Sequence, residues 1–237
     1  MHRFYVQGGK PVLKEGDFQH AIVVLRLEEG KEIEIIQGFG QRHLAKIGKI
    51  DLKAKQAELI IGEKIEESVE PPCKITLIQG IPRMDKLGDI VESCTQLGVS
   101  KFVLVYCKRT QGRYPQDRWD KKIHSLGITA KCAAELSARE IVPEIIGPMD
   151  FEKAIALSEG TKLIPWELEQ STHIAKSIKG QPSEVTIAIG PEGGLEHSEI
   201  ELARSNGFIP VTLGPRILRA ELAPVVAISQ LLSQVEA

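Results

Sequence analysis

Residues 187–223, IAIGPEGGLEHSEIELARSNGFIPVTLGPRILRAELA, use one local pattern twice: an apolar strand, a Gly-Pro turn, then a helix. Ile187, Ala188 and Ile189 form a short apolar run that stops at Gly190-Pro191, with Gly193-Gly194 following. A helix is expected over 196–206, and Gly207 suits its C′ position because glycine takes positive φ without a Cβ clash. Residues 209–213 make the second strand, broken by Gly214-Pro215, and a long apolar helix is expected to begin near Leu218. Because Pro224 must lie in a first helical turn, that start is expected no earlier than Ala220 or Glu221 if the proline belongs to the helix. Two such turns at the C-terminal ends of neighbouring strands wall a crevice with backbone amides, where open α/β sheets bind ligands.

Upstream, the hydrophobic period changes near Cys73. Residues 1–70 read as several short strands with one helix: a strand from Phe4, a helix over 17–25, then alternating segments at 32–36, 43–50 and 56–61, with Gly38-Phe39-Gly40 as a turn. This pattern suggests a small barrel. Residues 62–72 (GEKIEESVEPP) are polar, acidic and end in Pro-Pro, which is the composition of a linker. Residues 73–237 alternate strands with helices, as a parallel α/β sheet does. Strands are expected at 74–79, 101–106, 141–146, 162–165 and 185–189. Helices are expected from Asp85 to Gly98, over 116–137, from Asp150 to Leu157 and over 171–178. Pro143 makes its strand either short or an edge strand.

The chain of 237 residues has a formal net charge of −2, so no bulk positive field advertises a nucleic-acid partner, and any such contact must come from a local patch. One stands out: residues 101–122 hold seven Lys/Arg against two Asp, with Lys108, Arg109 and Arg113 leaving a strand end beside Tyr114. Basic residues interleaved with an aromatic suit phosphate contact and base stacking. The four cysteines form no CxxC pair and the six histidines show no ligand spacing, so no metal site is expected. No apolar run approaches the roughly 18 residues of a membrane helix, and a cytoplasmic protein with reduced thiols is expected.

GPEGG followed by LGPRILRAE resembles the SPOUT methyltransferases, and within them the RsmE-type family. The likeness spans the chain and is densest over 73–232. In the N-terminal part, His20 with Val24-Leu25-Arg26 matches that family's signature. The resemblance implies a PUA-like RNA-binding barrel at 1–70 and an α/β SPOUT domain at 73–237 with a parallel sheet and a C-terminal trefoil knot. It also implies a homodimer formed through the last helix, S-adenosylmethionine as cofactor, and methylation of N3 of a uridine in 16S ribosomal RNA, free or in the small subunit.

Carried onto this chain, the family's cofactor loops fall at Ile164 and Pro165, at Gly190, Glu192 and Gly193, and at Leu213, Gly214, Leu218 and Ala220. Arg219 falls beside the target base, with Glu221 to position it or take a proton. RNA contacts are expected from Arg3, Arg26, Arg83, Lys86, Lys108, Arg109, Arg113 and Arg139. The chain departs from the family pattern at Ala220, where threonine is usual, and at Leu222, Pro224, Ser93 and Gln96. The segment at 135–139 keeps the family's EQSGR-like form only in part. Two other readings compete: a SPOUT ribose 2′-O-methyltransferase, and an RNA-binding module without activity, which the missing hydroxyl at Ala220 makes conceivable.

Overall fold

The computed structural model describes residues 1–6, 11–37 and 40–237; of the turn expected at Gly38-Phe39-Gly40, Gly38 and Phe39 lie outside the described residues. The chain divides into two compact units, Met1–Glu70 with Ala134–Ile141, and Pro71–Ala133 with Val142–Ala237.

In the first unit, five strands form a nearly closed, barrel-like sheet: β1 (Arg3–Val6), β2 (Val12–Lys14), β3 (Glu32–Gln37), β4 (Gln41–Asp51) and β5 (Gln56–Ile65), in the order β1-β3-β4-β5-β2. β1 runs parallel to β3 and the other pairs are antiparallel. Phe4, Leu13, Ile33, Ile35, Ala45, Ile47 and Ala57 face inward at alternate positions and fill the core. The helix expected at 17–25 is a single α-helical turn, α1 (Glu15–Phe18), running into a π-helical segment, Gln19–Val24.

The segment read as a linker is not one at its start. β5 continues through Ile65, and Glu67 and Glu70 are tied into this unit. Arg42 donates from Nε to Glu34 at 2.6 Å and from Nη1 to the Glu67 carbonyl at 2.8 Å. Glu70 accepts from Arg139 Nε and Nη2 and from the main-chain amides of Glu140 and Ile141. Desolvation also lifts the Tyr5 phenol well above its usual range, and its hydroxyl donates to the Arg139 carbonyl.

The second unit holds β6 (Lys74–Gly80), α2 (Leu87–Gln96), β7 (Val99–Tyr106), α3 (Gln116–Leu136, whose end counts with the first unit), β8 (Glu144–Asp150), α4 (Phe151–Ala156), β9 (Thr161–Pro165), α5 (Ile174–Ser177), β10 (Glu184–Ile189), α6 (His197–Ser205), β11 (Ile209–Val211) and α7 (Ala223–Val235). The six strands form one parallel sheet in the order β11-β9-β10-β6-β7-β8. Both faces are covered, so its strands are mostly apolar, with Gln79 and Thr186 as buried polar exceptions. Leu77 and Ile187 point into a core shared with α2, α3 and α7, whereas Ile78 and Ala188 point into one shared with α4 and α6.

Several boundaries differ from expectation for local reasons. β8 begins after Pro143, at the sheet edge, where its own Pro148 loses no ladder bond to a further strand. Asp150 stands at the N-cap of α4, but its carboxylate takes Arg113 Nη2 at 2.9 Å instead of the helix amides. Asp85 likewise pairs with Arg83, and α2 starts two residues later. α5 is shorter than expected because Glu169 gathers the amides of Ser171 and Thr172 into a turn. α7 starts at Ala223 with Pro224 in its first turn, leaving 213–222 as an irregular loop. Gly207, at φ +85°, follows α6 as expected.

Cys73, Cys94 and Cys107 are buried and Cys132 is exposed. Desolvation raises the three buried thiols, Cys94 to about 12. In the native chain at neutral pH, an aromatic disulfide reagent is expected to modify Cys132 alone, with all four thiols reacting only in denaturant. Fast reaction of a second thiol in the native chain contradicts this burial.

Candidate active site

β9, β10 and β11 follow one another along the chain, but β9 lies between the other two in the sheet, so the two Gly-Pro turns do not end neighbouring strands as expected; the C-terminal ends of all three lie along one side of the sheet. The turns that follow them enclose a cavity of about 600 Å³, within the ~300–1,000 Å³ typical of small-molecule sites. Its walls are Pro165 to Glu167 after β9, Ile189 to Leu195 after β10, and Thr212 to Gly214 with Arg216 to Glu221 after β11.

The wall after β10 depends on glycine. A Cβ on Gly80, at the end of β6, would stand 2.7 Å from Pro191 N, so β6 can reach this turn only without a side chain. Gly194 adopts φ +71° and donates to the Pro191 carbonyl at 2.9 Å, closing the turn. Two further contacts pin it: Glu192 accepts from the Arg83 amide at 2.8 Å, and Arg109 Nη1 donates to the Gly193 carbonyl at 3.0 Å. The helix beyond is closed by a capping box between Glu196 and Glu199, and Glu199 also accepts from the Lys108 amide at 2.9 Å.

The wall after β11 is held from β9's loop. Thr212 donates its amide to the Thr172 carbonyl at 2.8 Å, and its hydroxyl accepts from the Gly214 amide at 3.1 Å. Thr172 belongs to the turn collected by Glu169. Hydrogen bonds from Ser171 first and Thr172 second hold the Glu169 carboxyl well below its usual range, at about 2. A depressed carboxylate supports the fold above its ordinary pKa of about 4.3 and loses that support as pH falls toward 2. A carbon-detected NMR titration is expected to place the Glu169 midpoint near 2. An ordinary midpoint contradicts the turn.

Beyond the turn, the Arg219 carbonyl accepts from the amides of Leu222 and Ala223, which fixes its backbone against the start of α7. Its side chain is exposed and lines the cavity. Glu221 faces Lys86, Oε1 to Nζ 3.9 Å, and no ion pair joins it to Arg219. Four cations, Arg83, Lys86, Arg216 and Arg219, and three carboxylates, Glu167, Glu192 and Glu221, border this one cavity. A backbone-lined cleft with an available guanidinium can hold a small organic ligand and stabilise negative charge developing beside it.

Of the residues singled out by sequence, Pro165, Gly190, Glu192, Gly193, Leu213, Gly214, Leu218, Ala220, Arg219 and Glu221 line the cavity. Ile164 does not. It is 0% exposed and packs on the opposite face of the sheet with Ile78 and Ala188, because neighbours on a strand point to opposite sides. Trp166 and Glu167 line the cavity instead, together with Thr212, Arg216 and Ile217. Leu163 and Ile164 are both fully buried, so no alternation along β9 signalled that shift in the sequence.

The basic candidates separate in the same way. Arg83 and Lys86 line the cavity. Lys108 and Arg109 are exposed beside the start of α6, with Lys108 Nζ 2.7 Å from Ser198 Oγ. Arg113 is exposed, pairs with Asp150 and lies 4.6 Å above the Tyr106 ring. Arg26 is exposed. Arg3 donates to Glu34 at 2.8 Å. Arg139 is a correction: at 2% exposure, with its guanidinium held by Glu70, it is a buried structural residue and offers no surface to RNA. Among the described residues no cluster of three His, Cys, Asp or Glu side chains could hold a metal, and no helix is long and apolar enough to cross a membrane.

Comparison with known proteins places this architecture. The family model described as an RNA methyltransferase domain matches residues 69–232. The ribosomal RNA small subunit methyltransferase E of Synechocystis is 32% identical over 216 residues, covering 88% of this chain and 68% of that protein. Its Bacillus subtilis counterpart is 30% identical over 256 residues, covering 100% of this chain and 98% of its own. The crystal structure of the Neisseria gonorrhoeae protein of that name, bound to S-adenosyl methionine, superposes with a TM-score of 0.89 at 28% identity, covering 98% of this chain and 97% of that one. Alike in sequence from end to end of the Bacillus protein and in fold across the Neisseria structure, the chain belongs to the ribosomal RNA small subunit methyltransferase E family.

Proposed function

We propose that this chain is an S-adenosylmethionine-dependent methyltransferase that modifies N3 of a uridine in 16S ribosomal RNA. The observation that carries the reading is the convergence of three strand-end turns on one cavity with Arg219 on its wall. The cavity fits the cofactor on its own terms. Its volume suits a nucleoside-sized ligand, and at Gly194 and Gly214, with φ +71° and +111°, the backbone itself forms the wall. Glycine at those positions lets main-chain amides and carbonyls approach a ligand, which is how such loops recognise an adenine edge without dedicated side chains.

When bound, the cofactor supplies an electrophilic methyl group. The protein's part is orientation and charge. Pro165, Gly193, Leu213, Leu218 and Ala220 would hold the cofactor. Arg219, anchored through its carbonyl and extended from the loop before α7, stabilises the negative charge that uridine acquires when N3 loses its proton. Glu221 is set against Lys86, so its role is to order the cationic side of the cavity, with proton acceptance open to it from the same position. Because N3 lies on the Watson–Crick edge, the uridine must be unpaired or extruded to reach the site. Arg83, Lys86, Lys108, Arg109 and Arg113 supply phosphate contacts on this unit.

The proposal extends to the whole chain. The barrel-like unit serves as a PUA-like RNA-binding domain, with Arg26 its exposed basic candidate. The return of the chain from β11 at the sheet edge to α7, packed against β10 and α2, supports the trefoil knot of SPOUT enzymes. Leu222, the exposed N-cap of α7, together with the part-buried Val225, Val226 and Leu232 on that helix, supports a homodimer through it. A ribosomal RNA substrate supports a cytoplasmic location.

Primer extension on 16S ribosomal RNA tests the reading, since N3 methylation blocks pairing and stops reverse transcriptase. Cells with the gene should show a stop at one uridine, and cells without it should read through. Identical profiles in both strains would remove the assignment. A pause seen only at low nucleotide concentration would favour ribose methylation.

A further inference from the structure

Three carboxylates border the cavity, and two are already engaged. Glu192 accepts from the Arg83 amide and Glu221 faces Lys86. Glu167 is exposed and has no hydrogen bond or ion pair among the described residues. The place where a Cβ on Gly194 would stand lies 3.0 Å from Glu167 Oε1, so this carboxylate sits directly beside the turn after β10.

The strand arrangement gives it a use. Glu167 follows the end of β9, and the glycine turn follows the end of β10, its hydrogen-bonded parallel neighbour. Nucleotide-binding α/β folds place a carboxylate next to a glycine turn at adjoining strand ends, where it accepts hydrogen bonds from a ribose diol. Two carboxylate oxygens match two vicinal hydroxyls, and such charge-assisted bonds are about twice as strong as neutral ones.

Resting on the reading of this cavity as a cofactor site, we infer that Glu167, beside the Gly194 turn, is a specificity-determining residue that binds the ribose hydroxyls of the cofactor. Trp166, lining the cavity beside it and packed edge-on against His197 at 5.0 Å, stiffens the loop from which Glu167 extends.

Titration calorimetry on the full chain decides the point, using S-adenosylmethionine, 5′-methylthioadenosine and its 2′-deoxy analogue. Methylthioadenosine keeps the diol but lacks the amino-acid ammonium. Glu167→Gln should weaken both diol ligands in parallel, by about 10–100-fold, the range of a hydrogen bond to a charged group. The 2′-deoxy analogue should bind the wild type weakly and lose little more in the variant. Because Glu167 has no partner among the described residues, thermal unfolding of the variant should match the wild type. If Glu167→Gln weakens S-adenosylmethionine but not methylthioadenosine, the carboxylate faces the ammonium and the inference is wrong. Unchanged binding of both ligands also overturns it, while leaving the cofactor site intact. A wild-type chain that binds none of the three overturns this inference and the cofactor reading together.

Discussion

Arg219→Ala is expected to lower kcat for methyl transfer by about 100–1,000-fold, the cost of deleting one donor aimed at a developing oxyanion. The dissociation constant for S-adenosylmethionine should stay at its wild-type value. The expectation follows from how the residue is held. Its carbonyl, not its side chain, supports the start of α7, so truncation leaves Leu222 and Ala223 with their hydrogen bonds. No ion pair is lost either, because Glu221 faces Lys86. The guanidinium is thus available for chemistry at little structural cost, and kcat and kcat/KM should fall together. Arg219→Lys should recover only part of the rate, since an ammonium carries the charge without the planar fork. Single-turnover kinetics on ribosomal RNA, with calorimetry for the cofactor, measure both quantities. Near-normal turnover by Arg219→Ala would exclude this residue from the reaction.

Glu70→Ala is expected to be the most destabilising single change in the barrel-like unit, by about 3–5 kcal/mol, as when one partner of a buried ion pair is removed. Glu70 serves as a common acceptor: Arg139 Nε at 3.2 Å, the Glu140 amide at 2.8 Å and the Ile141 amide at 3.1 Å all converge on it. Its removal leaves a guanidinium at 2% exposure without this carboxylate and orphans two amides at once. For a unit of this size, each kcal/mol shifts the transition by roughly 4–8 °C, so its unfolding should move down by more than about 10 °C. Urea and thermal unfolding followed by circular dichroism provide the measurement. Glu70→Gln, which keeps an acceptor oxygen, should lose much less. A change within about 0.5 kcal/mol for Glu70→Ala would mean that segment 134–141 is held by other contacts, as for substitutions at ordinary surface positions.

Glu70 also shows where sequence reading reaches its limit. Within GEKIEESVEPP, nothing separates Glu70 from Glu66 or Glu67, and composition alone makes all three linker residues. Its function depends on Arg139, 69 positions away. Arg139 was misread for the same reason: a lone arginine in a polar segment is an RNA contact or a buried ion pair according to what lies across from it. By contrast, β6, β7 and β10 were legible, because a parallel strand covered on both faces reads as a near-continuous apolar run, and that pattern is local. The glycine turns were legible too, since positive φ at Gly194, Gly207 and Gly214 is a property of single residues.

The sequence by itself determined the local pieces of the site: strand ends at Gly190 and Gly214, a loop carrying Arg219, and a proline that confines the start of α7. The tertiary structure decided how they meet. Strand order β11-β9-β10 brings three loops from separate parts of the chain to one edge, and the side chains that face the cavity follow from register and not from composition. Hence Ile164 lies under the sheet, while Trp166 and Glu167 reach the cavity. The physical reason is range. Backbone preference and hydrophobic period act within a few residues, whereas strand pairing and the partnering of buried charge are set by contacts between residues far apart in sequence.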